Sequence, residues 1–282
     1  MDVTSQVLDG VAVAKEILKG VSRRASVLRD AGRAPRLATV LVGDDDASKT
    51  YVRMKVNRCS EVGIESVRID LDAEISTPVL VAQIEALSAD PAIDGILLQH
   101  PVPGHIDERA AFEAIDPAKD VDGVTRTSFA AMALGNPGFQ SCTPGGILRL
   151  LDAYEIPLEG RHAVVVGRSH ILGLPMGMLL LGRDATVTYC HSRTRGLAEI
   201  LGRADVVVAA VGTPELVRAR WLKPGAVVVD AGYSAGDRGD VEQPAAREVA
   251  GWLSPVPGGV GPMTIAMLLE QTVTAAERRA GG

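Results

Sequence analysis

Cysteine is scarce in this chain and falls in no regular spacing, which argues against two chemistries. The three cysteines, Cys59, Cys142 and Cys190, are far apart. They make neither a metal-type spacing nor a disulfide framework, a pattern that fits a reducing compartment and predicts a cytoplasmic protein. The five histidines are equally dispersed, so no protein-bound metal is expected. Basic runs are missing too: 29 Lys and Arg against 35 Asp and Glu leave a net charge of −6. That balance argues against a general nucleic-acid binder. No apolar stretch approaches the roughly 20 residues of a membrane span. The opening Met1-Asp-Val-Thr-Ser-Gln lacks a basic-then-apolar signal. Repeats and low-complexity tracts are also lacking.

What is present is an ordinary globular composition, 46% hydrophobic and 23% charged over 282 residues, enough for one large or two medium domains. Short apolar runs bounded by turn residues alternate with helical patterns. The spacing predicts strands at 37–42, 66–71 and 94–99, with helices at 47–62, 79–87 and 107–114. Such a β-α-β-α-β-α order marks a parallel sheet. A second series follows: helix to about 154, strand 163–166, helix 175–181, strand 185–189, helix 196–201, strands 205–209 and 226–229. The Gly- and Pro-containing stretch 135–142 has no periodicity and reads as the hinge. A last helix, 263–279, follows the turn-rich Ser254–Pro262 loop. The expected fold is therefore two-domain α/β: an N-terminal three-layer α/β substrate domain (1–140 plus the helix at about 263–282) and a Rossmann-like domain with a parallel sheet (141–262), with a cleft between them.

The second series holds the clearest chemical signal. His162-Ala-Val-Val-Val-Gly167-Arg168-Ser169, then a helical run, then Ala185-Thr-Val-Thr-Tyr-Cys190-His191-Ser192-Arg193-Thr194 reads as strand, glycine turn, helix, strand. That is a mononucleotide-binding unit. Its glycine pattern is imperfect, since Ser169 replaces the second glycine and the last falls late, at Gly173. An NAD site places an acidic residue at the end of the second strand to accept from the ribose 2′-hydroxyl. Here that place offers His, Ser and Arg, which suits a 2′-phosphate and so predicts NADP. The turns Val211-Gly212-Thr213-Pro214 and Asp230-Ala-Gly232-Tyr233 end further strands and belong to the same crevice.

In the first series Tyr51 and Lys55 stand four apart on one helix face. A partly desolvated lysine loses its proton near neutral pH and serves in acid–base chemistry, with the phenol sharing the proton. A surface lysine whose stem covers a tyrosine explains the same pair. Gln99 either orients Lys55 or caps its strand. Asp120 and Asp122, in Pro117-Ala-Lys-Asp-Val-Asp-Gly123, suit an Asx turn or a grip on an amino-pyrimidine edge.

Taken together, Ser48-Lys-Thr-Tyr51-Val-Arg-Met-Lys55, Asp94-Gly-Ile-Leu-Leu-Gln99-His-Pro101, Lys119-Asp-Val-Asp-Gly123, Cys142-Thr-Pro-Gly145, Gly167-Arg-Ser169 and Pro255-Val-Pro-Gly-Gly-Val-Gly-Pro-Met-Thr264 resemble one family. It is the bifunctional methylenetetrahydrofolate dehydrogenases/methenyltetrahydrofolate cyclohydrolases. The resemblance implies oxidation of 5,10-methylenetetrahydrofolate by NADP⁺, then hydrolysis to 10-formyltetrahydrofolate, by a homodimer that binds neither membrane nor nucleic acid. It implies Lys55 as the main catalytic group, supported by Tyr51 and Gln99, with Asp122 holding the pterin. It further implies that Ser48, Pro257, Gly258, Gly259 and Thr264 line the folate side and that Gly167, Arg168, Ser169, Ser192 and Tyr233 bind NADP. The chain departs from the family at His100, where Leu is usual, at Leu174, where Lys is usual, at Tyr233, where Ile is frequent, and at Asn57, where a basic residue is common. Two other readings accommodate the same patterns: another two-domain NADP-dependent dehydrogenase of the shikimate-dehydrogenase kind, and a non-catalytic NADP-binding module.

Overall fold

The computed structural model describes residues 5–43 and 46–281, the side chains of 46–51 excepted. In chain order its elements are β1 (Gln6–Val7), α1 (Gly10–Asp30), β2 (Arg36–Val42), α2 (Asp46–Val62), β3 (Glu65–Leu71), α3 (Thr77–Ala89), β4 (Gly95–Leu98), α4 (Glu108–Glu113), α5 (Arg126–Leu134) and α6 (Cys142–Ala153). There follow β5 (His162–Val166), α7 (Gly173–Leu181), β6 (Thr186–Cys190), α8 (Leu197–Leu201), β7 (Val206–Ala209), β8 (Val227–Asp230), α9 (Gln243–Ala246), β9 (Trp252–Leu253) and α10 (Val260–Gly281). These elements form two compact units: one takes in the chain up to Lys15, Met132–Asn136 and Ser141–Thr264, the other Glu16–Ala131, Pro137–Gln140 and Ile265–Gly282.

The second unit is built on a three-stranded parallel sheet in the order β3-β2-β4. Central β2 reads Leu-Ala-Thr-Val-Leu-Val after Arg36 and is buried throughout that run. A continuous apolar run of this kind belongs to a strand covered on both faces. Edge strand β3 instead mixes exposed and half-buried positions. Helix α3 has Pro78 in its first turn, where the missing N–H is harmless. It buries Leu80, Ile84 and Leu87 on one face. Its last carbonyls are closed by Lys119, whose buried Nζ donates to Leu87, Ser88 and Asp90 oxygens at 3.2, 2.7 and 2.7 Å. Burial lowers the pKa of that amine. Helix α10 is tied in by Arg24, which forks onto Glu277 at 2.9 and 2.6 Å, and by Arg279, 2.7 Å from the buried Asp94 carboxylate.

The first unit carries a six-stranded sheet, β1-β9-β8-β7-β5-β6, parallel throughout. From β5 the chain goes to β6 on one side, then back across to β7 on the other. The order reverses at β5, and in such sheets ligands bind outside the carboxyl ends at the reversal. Val164, Val207, Val228 and Leu253 are among the sheet residues that pack into a core with Leu201 and Leu222.

The expected strands and helices from residue 37 onward are found with end shifts of a few residues. Several features escaped the strand–helix alternation, helices α5 and α9 among them. Strands β1 and β9 are two residues each, too short for any period, and β1 joins the six-stranded sheet from the chain's start. Helix α1 precedes the first predicted strand, yet Ala14, Ile17, Val21, Ala25 and Leu28 are its buried face, at helical spacing.

Candidate active site

Gln99 lies one residue beyond β4 and keeps the sheet's register, donating its N–H to the Val40 carbonyl at 2.8 Å. Its side chain is buried. Nε2 donates to the His100 carbonyl at 2.8 Å, which leaves Oε1 as the acceptor, and Lys55 Nζ on α2 donates to it at 3.0 Å. The sequence left open whether Gln99 serves Lys55 or only its strand; it does both. A neutral amide orients the amine without the charge stabilisation a carboxylate brings. One turn along α2, burial pushes the Cys59 thiol up to about 12, against the pull of the Lys55 charge. A thiol so held is protonated and inert as a nucleophile. The side chains of Ser48 and Tyr51 lie outside the described residues.

The two aspartates of the 117–123 loop separate cleanly. Asp120 is fully buried and accepts from Val124 N, Thr125 N and Ser128 Oγ at 3.0, 2.9 and 2.6 Å. It builds the turn that starts α5. Asp122 has a side chain 14% exposed, with Oδ2 3.9 Å from Nε2 of His100. The peptide oxygen before it, that of Val121, accepts from the Gln271 amide of α10 at 2.8 Å. Gln271 also pairs with both backbone groups of Gln140 at 2.9 Å. Sequence reading passed over Gln271, since a glutamine among helical positions carries no signal until its partners are known.

In the other unit, Gly167 ends β5 at φ +130°. A Cβ there would lie 2.1 Å from the Ala210 carbonyl oxygen, so only glycine fits where the β7 turn crosses. Ser169 Oγ accepts from the N–H groups of Leu172 and Gly173 at 3.2 and 3.3 Å, which closes the first turn of α7. Arg168, Ser192 and Arg193 are exposed. After β6 the chain turns tightly, with His191 N donating to Thr194 Oγ1 at 2.8 Å and Arg193 N donating to His191 Nδ1 at 3.1 Å. Residues 191–195 contain no carboxylate, so exposed guanidinium and hydroxyl groups stand at the ends of β5 and β6. That donor set fits a 2′-phosphate. Tyr233 is 54% exposed, and its hydroxyl donates to Asp237 at 2.9 Å.

The turns after β7 and β8 bring carboxylates of their own. Asp240 accepts from Val211 N and Gly212 N at 2.6 and 3.0 Å. Asp230 accepts from Gly232 N, Asp240 N, Val241 N and Gln243 Nε2, all within 3.0 Å. Burial raises the Asp230 carboxyl above its ordinary range although those donors pull the other way. In these turns the Val211, Gly212 and Gly232 N–H groups are thus taken by side-chain carboxylates. A shallow pocket of about 300 Å³ lies beside Arg161, Asp205, Ala226 and Trp252, at the amino ends of the strands and away from the reversal point.

The Pro255–Thr264 block, a loop that runs into the first turn of α10, is assembled in this same unit. Val11 N donates to the Gly258 oxygen at 3.1 Å and Gly259 N to the Pro255 oxygen at 2.9 Å. A Cβ on Gly10 would fall 1.7 Å from the Gly259 oxygen, so Gly10 is a requirement of this loop that sequence reading missed. Pro257 is exposed. Thr264 Oγ1 lies 3.0 Å from Thr143 Oγ1, joining the Cys142–Gly145 block to the loop. Lys55, Gln99 and Asp122 thus share one unit; Pro257, Gly258, Gly259 and Thr264 share the other with Gly167, Arg168, Ser169, Ser192 and Tyr233.

Residues 8–122 match the model for the tetrahydrofolate dehydrogenase/cyclohydrolase catalytic domain, and 141–280 match the NAD(P)-binding domain of the same family. The chain belongs to the tetrahydrofolate dehydrogenase/cyclohydrolase family. A relative named bifunctional protein FolD 1, from Salinispora arenicola, is 64% identical over 98% of this chain and 99% of its own. Among solved structures of the family, the bifunctional FolD methylenetetrahydrofolate dehydrogenase/cyclohydrolase of Campylobacter jejuni is 41% identical, with TM-score 0.95 over 98% of this chain and 99% of that one. The Trypanosoma brucei FolD, solved with NADP cofactor and inhibitor, is 36% identical, with TM-score 0.94 over 99% of each chain.

Proposed function

We propose that this chain carries out both reactions of its family: NADP-dependent oxidation of 5,10-methylenetetrahydrofolate to the methenyl cation, and hydrolysis of that cation to 10-formyltetrahydrofolate. The observation that carries the reading is the Lys55–Gln99 contact of 3.0 Å, with the glutamine amide locked by the His100 carbonyl. Hydrolysis needs a group that moves protons: water adds to the methenyl carbon and loses one proton, and the bond from that carbon to N5 then breaks as the remaining hydroxyl proton is carried to N5, leaving the formyl C=O on N10. Lys55 moves these protons, Gln99 holds its Nζ in place, and Tyr51 supports Lys55 and the folate. Asp122 accepts from the amino-pyrimidine edge of the pterin. Ser48, Pro257, Gly258, Gly259 and Thr264 line the folate.

Bound NADP⁺ supplies the hydride acceptor. Gly167 and Ser169 shape the turn that receives it, Arg168 and Ser192 take the 2′-phosphate, and Tyr233 flanks the cofactor. Hydride transfer requires no acid or base, only placement of the donor carbon. On this reading residues 141–262 serve the cofactor, apart from Pro257, Gly258 and Gly259 on the folate side, and residues 1–140 with the helix at about 263–282 serve the folate and its hydrolysis. The protein is further read as a cytoplasmic homodimer without nucleic-acid partners. Its cysteines are buried free thiols, and no helix among the described residues is long and apolar enough to cross a membrane; the homodimer rests on the family.

Mixing protein, methylenetetrahydrofolate and NADP⁺ while following NADPH and methenyl absorbance tests the reading. NADPH rising without methenyl accumulation is expected, with NAD⁺ at least about tenfold poorer, the worth of one charge-assisted contact. Absence of NADPH formation overturns it.

A further inference from the structure

Asp240 belongs to none of the sequence blocks that mark the family, and the proposed chemistry gives it no role. It is fully buried. Its Oδ2 accepts from Val211 N at 2.6 Å and Gly212 N at 3.0 Å, the N–H groups that open the turn after Ala210. Its backbone is fixed on both sides: the N–H donates to Asp230 Oδ1 at 2.9 Å, and the carbonyl accepts from Val217 N at 2.9 Å. Oδ1 is buried with no hydrogen-bond partner among the described residues. It lies against Gly232, where a Cβ would come within 2.4 Å of it. One carboxylate is thus wedged between the turns after β7 and β8. An oxygen left unpaired in the interior costs stability, so stability alone does not account for a carboxylate here.

The turn it holds borders the point where the strand order reverses. Strand β7 adjoins β5, and a sheet of this kind receives its ligand in the crevice outside the carboxyl ends at the reversal. The turns after β5 and β7 touch: a Cβ on Gly167 would fall 2.1 Å from the Ala210 oxygen. Gly212 and Thr213, just beyond, are exposed. A shift of Ala210–Gly212 therefore presses on the glycine turn or opens a gap beside it. We propose that Asp240 is a positioning residue for the cofactor, which sets NADP affinity from behind the crevice by fixing the β7 turn against Gly167. The inference rests on the reading of residues 141–262 as the NADP unit. Without Asp240 the turn leaves its place for part of the time. The apparent dissociation constant then rises as the reciprocal of the fraction still in place.

Two readouts separate this role from general stability. One is NADP⁺ binding by calorimetry. The other is hydrolysis of methenyltetrahydrofolate without NADP⁺, whose proposed proton carrier, Lys55, stands in the other unit. Asp240→Asn keeps the size and one oxygen for both N–H groups but exchanges charge-assisted bonds for neutral ones. It is expected to bind NADP⁺ about fivefold more weakly. Asp240→Ala strands both N–H groups and is expected to bind at least about thirtyfold more weakly. Both are expected to hydrolyse the methenyl compound at the wild-type rate. NADP⁺ affinity equal to wild type in both variants, or hydrolysis lost in step with affinity, overturns the role of Asp240 while the NADP reading stands. If urea titration shows that Asp240→Ala does not fold, Asp240→Asn decides by the same two readouts: weaker NADP⁺ with intact hydrolysis supports the role, and wild-type affinity overturns it. If wild type itself binds no NADP⁺, both readings fall.

Discussion

At Gln99 one amide has two hydrogen-bonding ends with distinct partners, the His100 carbonyl on the nitrogen and Lys55 on the oxygen. Replacing it by a carboxylate of equal size puts a negative charge beside Nζ, favours the ammonium form and moves the proton-transfer range of Lys55 upward. Gln99→Glu is therefore expected to displace the cyclohydrolase pH–rate profile to higher pH. The rate near neutrality should fall about tenfold for every pH unit the profile moves; an unmoved profile counts against the amine being the proton carrier. Legibility at this scale was uneven. The spacing of Tyr51 and Lys55 suggested a pair, whereas no spacing rule chose between Gln99 as a partner of Lys55 and Gln99 as a cap of its strand. Asp120 and Asp122, two residues apart in one loop, were indistinguishable in the sequence, because only burial tells the aspartate that closes a turn from the one left facing His100. His100 and Gln271 had residue types that fit filler as well as function.

Among the elements, the parallel strands were the most legible, since burial on both faces writes continuous apolar runs into β2, β5, β7 and β8. The two-residue strands β1 and β9 leave no such trace. Within the three-stranded unit, α10 is held to α1 by the Arg24–Glu277 fork. Its hydrogen bond with Arg24 holds the Glu277 carboxyl below its ordinary value. A carboxyl with a depressed folded-state pKa stabilises at pH above its unfolded value, and that contribution is lost as pH falls through the folded value. Glu277→Gln is accordingly expected to lower the urea midpoint at pH 7, by an amount corresponding to about 0.5–1 kcal/mol for a half-exposed pair. The deficit should shrink as the comparison is repeated from pH 5 down to pH 3. A deficit that stays constant with pH would assign the effect to packing.

For the molecule as a whole, the pattern of two β-α series and the blocks spread along the chain sufficed to indicate the family, and the family models cover 8–122 and 141–280. The cofactor was legible from what residues 191–195 lack, a carboxylate, as much as from what they hold. The carboxylates that fasten the β7 and β8 turns, Asp240 and Asp230, were not, because their partners are backbone groups distant in sequence. On the proposed assignment, proton movement falls to Lys55 and cofactor binding to the other unit, so the two activities should separate in one variant. Lys55→Met, given methylenetetrahydrofolate and NADP⁺, is expected to bind NADP⁺ as wild type does and to form NADPH. Its hydrolysis of the methenyl product should be slowed at least about a hundredfold, the scale of general acid–base catalysis, so that methenyl absorbance accumulates beyond the uncatalysed background. Hydrolysis by Lys55→Met at the wild-type rate would contradict the assignment of proton transfer to this lysine.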